Sequence, residues 1–387
     1  MSLRKIIFWM HLTAGLIAGS VVLVMSVTGV LLAFERQMIE WADRDLRVVP
    51  PPPEAVRLPL SALLASVQAA KPEARPSGFT FRSDPAAPAA IALGRERTVF
   101  LNPYTGAILG EGSKPARAFF HWVTDFHRWL GAHGESRAVG RAVTGACNLA
   151  FLFLVISGFY LWWPSKRSKN AGRAIVVPRA RLRGKIRNFN WHNSIGFWSA
   201  PVLFILVLSG VTLSYSWAGN LIYRLTGNEP PPARSGPQRP GPRESIVIPT
   251  EIDRLWTIAE QRVPQWKAIN ARFEASPASP LTFSIERGNR GRPDLRSQLT
   301  LDPNTGEVVR WEPFSSFNLG RQLRSWARFA HTGEAGGVIG QTVAALASAG
   351  AAVLVWTGFA LAWRRFRERK RRGQPIGPPE AAEVMSS

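Results

Sequence analysis

Four stretches of the chain run without charge for longer than a soluble helix requires. Ile6 to Phe34, Ala142 to Trp163, Ile195 to Ala218 and Gly336 to Trp363 contain no Asp, Glu, Lys or Arg. Each meets or exceeds the roughly 20 apolar residues needed to cross about 30 Å of hydrocarbon. The pattern predicts an α-helical integral membrane protein with a four-helix transmembrane core. Between these runs the periodicity changes. Ser61 to Ala70 and Thr250 to Gln261 have helical composition and end at Lys71-Pro72 and Val263-Pro264. Thr98 to Leu101 and Gln298 to Leu301 predict short strands that enter turns in which Pro sets the corner and Gly supplies positive φ. Each soluble stretch is thus predicted to be an α+β module, a helix packed on a small antiparallel sheet.

The resulting layout is a first span over residues 1–34, a soluble module over 35–115, and an amphipathic lead-in with the second span over 116–164. A basic loop follows over 165–190, then the third span over 191–218, a second module over 219–328, the fourth span over 329–364 and a basic tail over 365–387. Arg4 and Lys5 ahead of the first run resemble the start of a signal peptide, but the run is about twice the usual length of such a core. The following Glu35-Arg36-Gln37 offers no small-residue cleavage pattern, so the segment is expected to remain as a span.

The formal net charge of +22 would suit a nucleic-acid binder if it were spread over a soluble face. Its distribution points elsewhere. Lys166, Arg167, Lys169, Arg173, Arg179, Arg181, Arg183, Lys185 and Arg187 occur together without an acidic residue, and Arg364-Arg365-Phe366-Arg367-Glu368-Arg369-Lys370-Arg371-Arg372 follows the last span. Short basic segments flanking spans mark the cytoplasmic face, and Arg4 and Lys5 agree. Both termini are therefore expected in the cytoplasm and both modules on the far side, with anionic lipid rather than nucleic acid as the partner of the basic segments. The single cysteine, Cys147, lies within the second span and leaves the modules without disulfides.

An internal repeat organises the rest. His11 to Gly15 (HLTAG) matches His192 to Gly196 (HNSIG), and a glycine follows each histidine by 18 residues, at Gly29 and Gly210. Proline-rich entries follow at Pro50 to Pro53 and Pro230 to Pro232. FLNPYTGAIL from Phe100 then matches TLDPNTGEVV from Thr300, and SGFYLWW from Ser157 matches TGFALAW from Thr357. The core is expected to be built from two copies of span, module, span.

The six histidines, His11, His121, His127, His133, His192 and His331, all lie in a span or its lead-in. Ionisable groups at membrane depth are costly and mark function. The predicted topology puts His11 and His192 near the cytoplasmic side, and His331 near the outer side with one of His121, His127 and His133. Paired neutral imidazoles without nearby carboxylates or thiolates fit axial ligation of haem iron better than zinc, which wants further protein ligands. A spacing of 18 residues is five helical turns and about 27 Å, so a helix giving a ligand at one surface presents a glycine gap at the other. Gly140 to Gly158 and Gly340 to Gly358 repeat the interval. Gly15, Gly29, Gly158, Gly196, Gly210 and Gly358 are the candidate glycines lying against a porphyrin, although small residues in spans also serve ordinary helix packing.

FHRWLG from Phe126, NWHNSIGFWSAPVLFILVLSGV from Asn190, FAHTGEAGG from Phe329 and the two turns together resemble the PepSY-associated transmembrane family over nearly the whole chain. This family includes iron-regulated inner-membrane proteins and ferric-siderophore reductases. The resemblance implies a bacterial inner-membrane protein with two b-type haems and two periplasmic PepSY modules. It favours His127, which is followed by Leu and Gly, over His133, against a longer interval before Gly140. It further implies electron transfer from a quinol or separate reductase, through His11 and His192 and then His127 and His331, to a ferric siderophore or other periplasmic acceptor. Trp122, Arg128, Trp129, Arg324 and Trp326 are candidates for holding haem carboxylates or an anionic chelate, or belong to the interfacial aromatic and basic belt. No dinucleotide or P-loop fingerprint is present to bring in a donor. A peptide- or protease-binding regulator and a metal transporter are the rival classes; the first predicts no haem, the second a path lined by carboxylates.

Overall fold

The computed structural model describes residues 2–49, 52, 55–94, 97–163, 176–179, 181–232, 247–274, 276, 279–288 and 291–372. Lys166, Arg167, Lys169 and Arg173 of the basic loop, Pro50, Pro51 and Pro53 of the first proline-rich entry, and the tail beyond residue 372 lie outside the described residues. The helices are α1 (Leu3–Leu32), α2 (Glu35–Ala42), α3 (Leu60–Ala70), α4 (Lys114–Trp129), α5 (Arg137–Trp162), α6 (Gly184–Ser214), α7 (Ser216–Leu225), α8 (Ile252–Arg262), α9 (Leu319–His331) and α10 (Gly337–Arg372). The strands are β1 (Pro76–Arg82), β2 (Ala89–Leu93), β3 (Arg97–Leu101), β4 (Ile108–Gly110), β5 (Ala268–Arg272), β6 (Leu281–Glu286), β7 (Arg296–Leu301) and β8 (Val308–Pro313). The chain forms two compact units, one from residues 1–35, 119–221 and 327–387, the other from 36–118 and 222–326.

In the first unit, α1, α5, α6 and α10 are long and apolar enough to cross a membrane. They cover most of each uncharged run, the third of which breaks at Tyr215 between α6 and α7, and α6 and α10 extend past the runs into Lys185, Arg187 and Arg364 to Arg372. Lys and Arg are good helix formers, so charge ends the apolar run without ending the helix. The four helices form a ring: α1 packs on α5 and α10, and α6 packs on α5 and α10. The diagonal pairs, α1 with α6 and α5 with α10, do not pack extensively on each other.

The lead-in helices turn sharply into the spans. Leu130 (φ 55°) and Gly131 (φ 74°) reverse the chain after α4, and Gly333 (φ 74°) and Gly337 (φ 60°) do so after α9. A side chain at Gly140 would collide with the Trp129 carbonyl, and one at Gly340 with the Gly333 carbonyl. These two glycines thus let the first turn of each span lie against the turn before it, the close approach that small residues permit. Thr144 Oγ1 donates to Arg128 O (2.9 Å) and fastens α5 to the end of α4.

The second unit differs from the two small sheets predicted. Four strands from each stretch make one eight-stranded antiparallel sheet in the order β4-β3-β2-β1-β5-β6-β7-β8. The join is β1 on β5, in register from Gly78 opposite Arg272 to Arg82 opposite Ala268. Two four-stranded sheets would each leave an edge of unpaired amides, and joining satisfies both. Alternate residues of one face, including Phe79, Ile91, Val99, Ile269, Phe283 and Leu299, are buried with Leu63 and Val67 of α3 and Leu255 and Ala259 of α8. Ser61 N donates to the Asp253 carboxylate (2.9 Å), tying α3 to α8. The two Pro-containing turns are structural: Asn102 Oδ1 accepts from Tyr104 N, Asp302 Oδ1 from Asn304 N (both 2.9 Å), and Gly106 and Gly306 take positive φ.

Glu111, beyond β4, accepts from Lys71, Arg97 and Lys114, and these hydrogen bonds hold its pKa down at about 2. A carboxyl lowered in the folded state adds stability that is complete above its unfolded value near 4.3 and is lost as pH falls toward 2. Glu111→Gln is therefore expected to lower the stability of this unit by about 1 kcal/mol at pH 7, the scale of a partly exposed ion pair. The difference between the two proteins should vanish in denaturant titrations near pH 2.

Candidate functional site

Four histidines occupy matched environments in the helical unit, each set by a hydroxyl or carbonyl on a neighbouring helix. His11 Nδ1 lies 2.8 Å from Ser157 Oγ, His192 Nδ1 2.9 Å from Thr357 Oγ1, and His127 Nδ1 2.9 Å from Thr28 Oγ1. His331 Nδ1 lies 2.8 Å from Leu206 O and 3.4 Å from Ser209 Oγ.

The direction of these bonds follows from where the hydroxyl hydrogens go. Thr28, Ser157 and Ser209 donate to Val24 O, Phe153 O and Ile205 O at 2.6 Å, and Thr357 donates to Val353 O at 2.8 Å. Each hydroxyl has one hydrogen, already committed to its own helix, so toward histidine it accepts. Leu206 O can only accept. All four imidazoles therefore carry their proton on Nδ1 and present a bare lone pair at Nε2, the state that binds a metal.

A glycine follows each hydroxyl residue, and each faces the imidazole that the hydroxyl holds. A Cβ added to Gly158 would lie 3.2 Å from His11 Cε1, and one on Gly358 3.6 Å from His192 Cε1. The same construction puts Gly29 3.6 Å from His127 Cε1 and Gly210 3.1 Å from His331 Cε1. Each half thus exchanges histidine and glycine: His11 of α1 faces Gly158 of α5 while His127 of α4, the lead-in to α5, faces Gly29 of α1, and His192 of α6 with Gly358 of α10 and His331 of α9 with Gly210 of α6 do the same. Gly210 also borders Asn148, whose Nδ2 donates to Val207 O (3.2 Å), and Gly29 borders Ser348. Gly15 and Gly196 face Leu154 and Leu354 instead of a histidine.

His127 and His331 meet, with ring centroids 6.3 Å apart and planes at 57°. Two imidazoles on opposite sides of one metal ion, each nitrogen about 2 Å from it, have ring centres roughly 6 Å apart. The spacing, the free Nε2 atoms and the glycines suit a flat metal-bearing group. His11 and His192 stand on the diagonal helices α1 and α6. Along α6 and α10 the two levels are separated by an apolar layer containing Leu203, Leu206, Ala344, Ala347 and Ala351. Among the described residues no group of three or more His, Cys, Asp or Glu side chains is arranged to hold a metal ion.

His121 and His133 do not join the pair. Their side chains are 66% and 74% exposed, and their Nδ1 atoms lie 3.5 and 3.7 Å from the buried Asp125 carboxylate, which Arg137 approaches at 3.6 Å. Arg128 and Arg137 lie over the Trp129 ring at 4.7 and 4.2 Å. The pKa of Arg128 is lowered first by burial and then by the positive charges of Arg141, Arg137 and Arg328. Positive charge thus gathers beside His127. Trp122 is exposed and packs on Phe119 and Phe126, whereas Trp326 packs on Phe314 in the other unit. Sequence reading missed Thr28, Ser157, Ser209 and Thr357, although the signal was available: Ser-Gly or Thr-Gly occurs at Thr28-Gly29, Ser157-Gly158, Ser209-Gly210 and Thr357-Gly358.

Residues 8–370 match the family described as the PepSY-associated TM region. No curated protein matches the chain.

Thr28→Val and Thr357→Val keep side-chain shape and remove the acceptor. Each is expected to weaken retention of a metal-bearing group at its own histidine by about 10–100-fold, as loss of an outer hydrogen bond does. Ser209→Ala should have a smaller effect, because Leu206 O still holds His331. Absorption titrations of the three variants check this order, and equal effects at Thr28 and Ser209 would contradict the assignment of the anchors.

Proposed function

We propose that this chain, which belongs to the PepSY-associated transmembrane family, is a di-haem b electron-transfer protein of the bacterial inner membrane. In this reading His11 and His192 hold one haem, His127 and His331 hold the other, and the terminal acceptor is a ferric siderophore or similar iron chelate in the periplasm. The observation that carries the reading is the set of four histidines, each with Nδ1 donating and Nε2 free, each beside a glycine. Bound haem b supplies reversible one-electron iron chemistry.

The chain's own residues would hold and tune that group. Thr28, Ser157, Thr357 and Leu206 O fix the imidazole orientation and raise ligand basicity. Gly29, Gly158, Gly210 and Gly358 leave room for a flat ring where any side chain would stand. The apolar layer around Leu203 and Ala347 keeps water from the space between the two levels. Arg128, Arg137, Arg141 and Arg328 favour an anion beside His127, either a haem carboxylate or an anionic chelate. The matched contacts of the two halves, His11 with Ser157 and His192 with Thr357, support a core built from two repeats.

Arg4 and Lys5, the loop around Arg179 to Arg187, and Arg364 to Arg367 support cytoplasmic termini, with the sheet-forming stretches in the periplasm. The electron donor would be quinol or a separate reductase.

Purified protein is expected to give a reduced-minus-oxidised spectrum and pyridine haemochrome of about two b haems per chain. His11→Ala and His192→Ala should each remove one, His127→Ala and His331→Ala the other, while His121→Ala and His133→Ala keep both. A folded, haem-supplied preparation with no haem would favour the regulator reading, in which the membrane core is an anchor.

A further inference from the structure

The two halves of the helical unit match closely at their histidines but diverge one turn later. Ser157-Gly158-Phe159-Tyr160-Leu161-Trp162-Trp163 corresponds to Thr357-Gly358-Phe359-Ala360-Leu361-Ala362-Trp363. Trp163 and Trp363 are 61% and 70% exposed, as expected of an aromatic belt. Trp162 stands where the second half has the buried methyl of Ala362, and it turns inward. Its ring stacks on Phe197 of α6 at 4.4 Å with planes at 26°, and on Phe159 at 5.9 Å and 24°.

Trp162 Nε1 is buried and has no hydrogen-bond partner among the described residues, a property it shares only with Arg36 Nε. Indole is a donor only, and a buried indole N–H normally finds an acceptor. Neighbouring tryptophans follow that rule: Trp191 Nε1 donates to Arg179 O (3.4 Å) and Trp198 Nε1 to Val176 O (3.0 Å). The carbonyls beside Trp162 are engaged by Arg4, which donates to Leu161 O (2.5 Å) and Trp163 O (3.1 Å), and the indole reaches neither. Helical geometry puts Trp162 about 6 Å beyond Gly158 on nearly the same stripe of α5, and Gly158 is the residue that faces His11.

We infer that Trp162 Nε1 donates to an oxygen of a group bound at the His11–His192 end of the bundle. The inference rests on the proposed function for the presence of a group at those histidines. Two sources share the required chemistry, an oxygen acceptor in an apolar aromatic setting: a carboxylate of the haem held there, or the carbonyl of a quinone. Ala362 provides no second donor, so the contact is made on one side of the site only.

The test uses Trp162→Phe, which preserves the stack on Phe197 and deletes the donor, with Trp162→Tyr as a variant that restores a donor. In protein loaded with haem and a quinone analogue, the ultraviolet resonance Raman difference between wild type and Trp162→Phe isolates the Trp162 indole and should show a hydrogen-bonded N–H. If the acceptor is a haem carboxylate, Trp162→Phe should lower the midpoint of one haem. The expected shift is about a tenfold change in the oxidised-to-reduced ratio, 59 mV for one electron. If it is a quinone, both midpoints should hold while reduction by a quinol analogue slows about tenfold and reduction by dithionite does not. Partial recovery in Trp162→Tyr supports either source. A free indole in the Raman difference, or unchanged midpoints and unchanged quinol reduction in a protein that retains both haems, overturns the inference. Absence of haem in wild type would instead overturn the proposed function.

Discussion

A serine or threonine hydroxyl in a membrane helix has one hydrogen, and in lipid the nearest acceptor is the carbonyl one turn back. Thr28, Ser157, Ser209 and Thr357 all use theirs this way. What remains is a lone pair pointing across to the next helix, and an imidazole there can satisfy it only through N–H. The rest of the histidine geometry depends on this constraint. It selects the tautomer, sets the ring plane, and leaves Nε2 as the free edge. The residue after the hydroxyl lies beside the same ring, and only glycine leaves that flank open. Hydroxyl and glycine thus act as one unit with the histidine of a neighbouring helix at His11, His127 and His192, while at His331 Leu206 O takes the hydroxyl's place beside Gly210.

The helix ring accommodates these units because its contacts are made between sequential neighbours around the square. Small residues such as Ala344, Ala347 and Ala351 bring adjacent helices close, as packing in lipid requires. The diagonals lack extensive contact; His11 and His192 stand on one of them, α1 and α6, whereas His127 and His331 meet from the lead-in helices α4 and α9. Exchange of histidine and glycine between α1 and the α4–α5 pair, and between α6 and the α9–α10 pair, gives each half both imidazoles and glycine gaps. A residue larger than glycine at Gly158 or Gly210 would press on an imidazole that is already held from behind by a hydrogen bond.

Much of this was legible in the sequence, for reasons that particular residues make plain. Uncharged runs identify spans because no alternative environment tolerates them at that length. The helices ending near Lys71 and Val263 and the turns at Asn102 and Asp302 are local features, and local chemistry fixed them. The inward position of His127, where His121 and His133 stay exposed, was also encoded, in helical phase: Phe120 and Val123 are buried on α4, and His127 follows at the next turn of that stripe. The pairing of β1 with β5 was not legible. Alternation along Phe79 and Phe81, or Ile269 and Ala271, tells which face is buried and says nothing about which strand lies alongside.

That pairing has a consequence for biogenesis. Pro76 at the start of β1 precedes Ala268 at the start of β5 by about 190 residues, with two membrane spans between them. At ribosomal speeds the interval is roughly 10–40 s, during which β1 has been made and its partner has not. The nascent first half therefore carries an open strand edge of the kind that invites mispairing, until the second half arrives. The sheet is complete only when both halves of the chain are present, so neither half matures independently of the other.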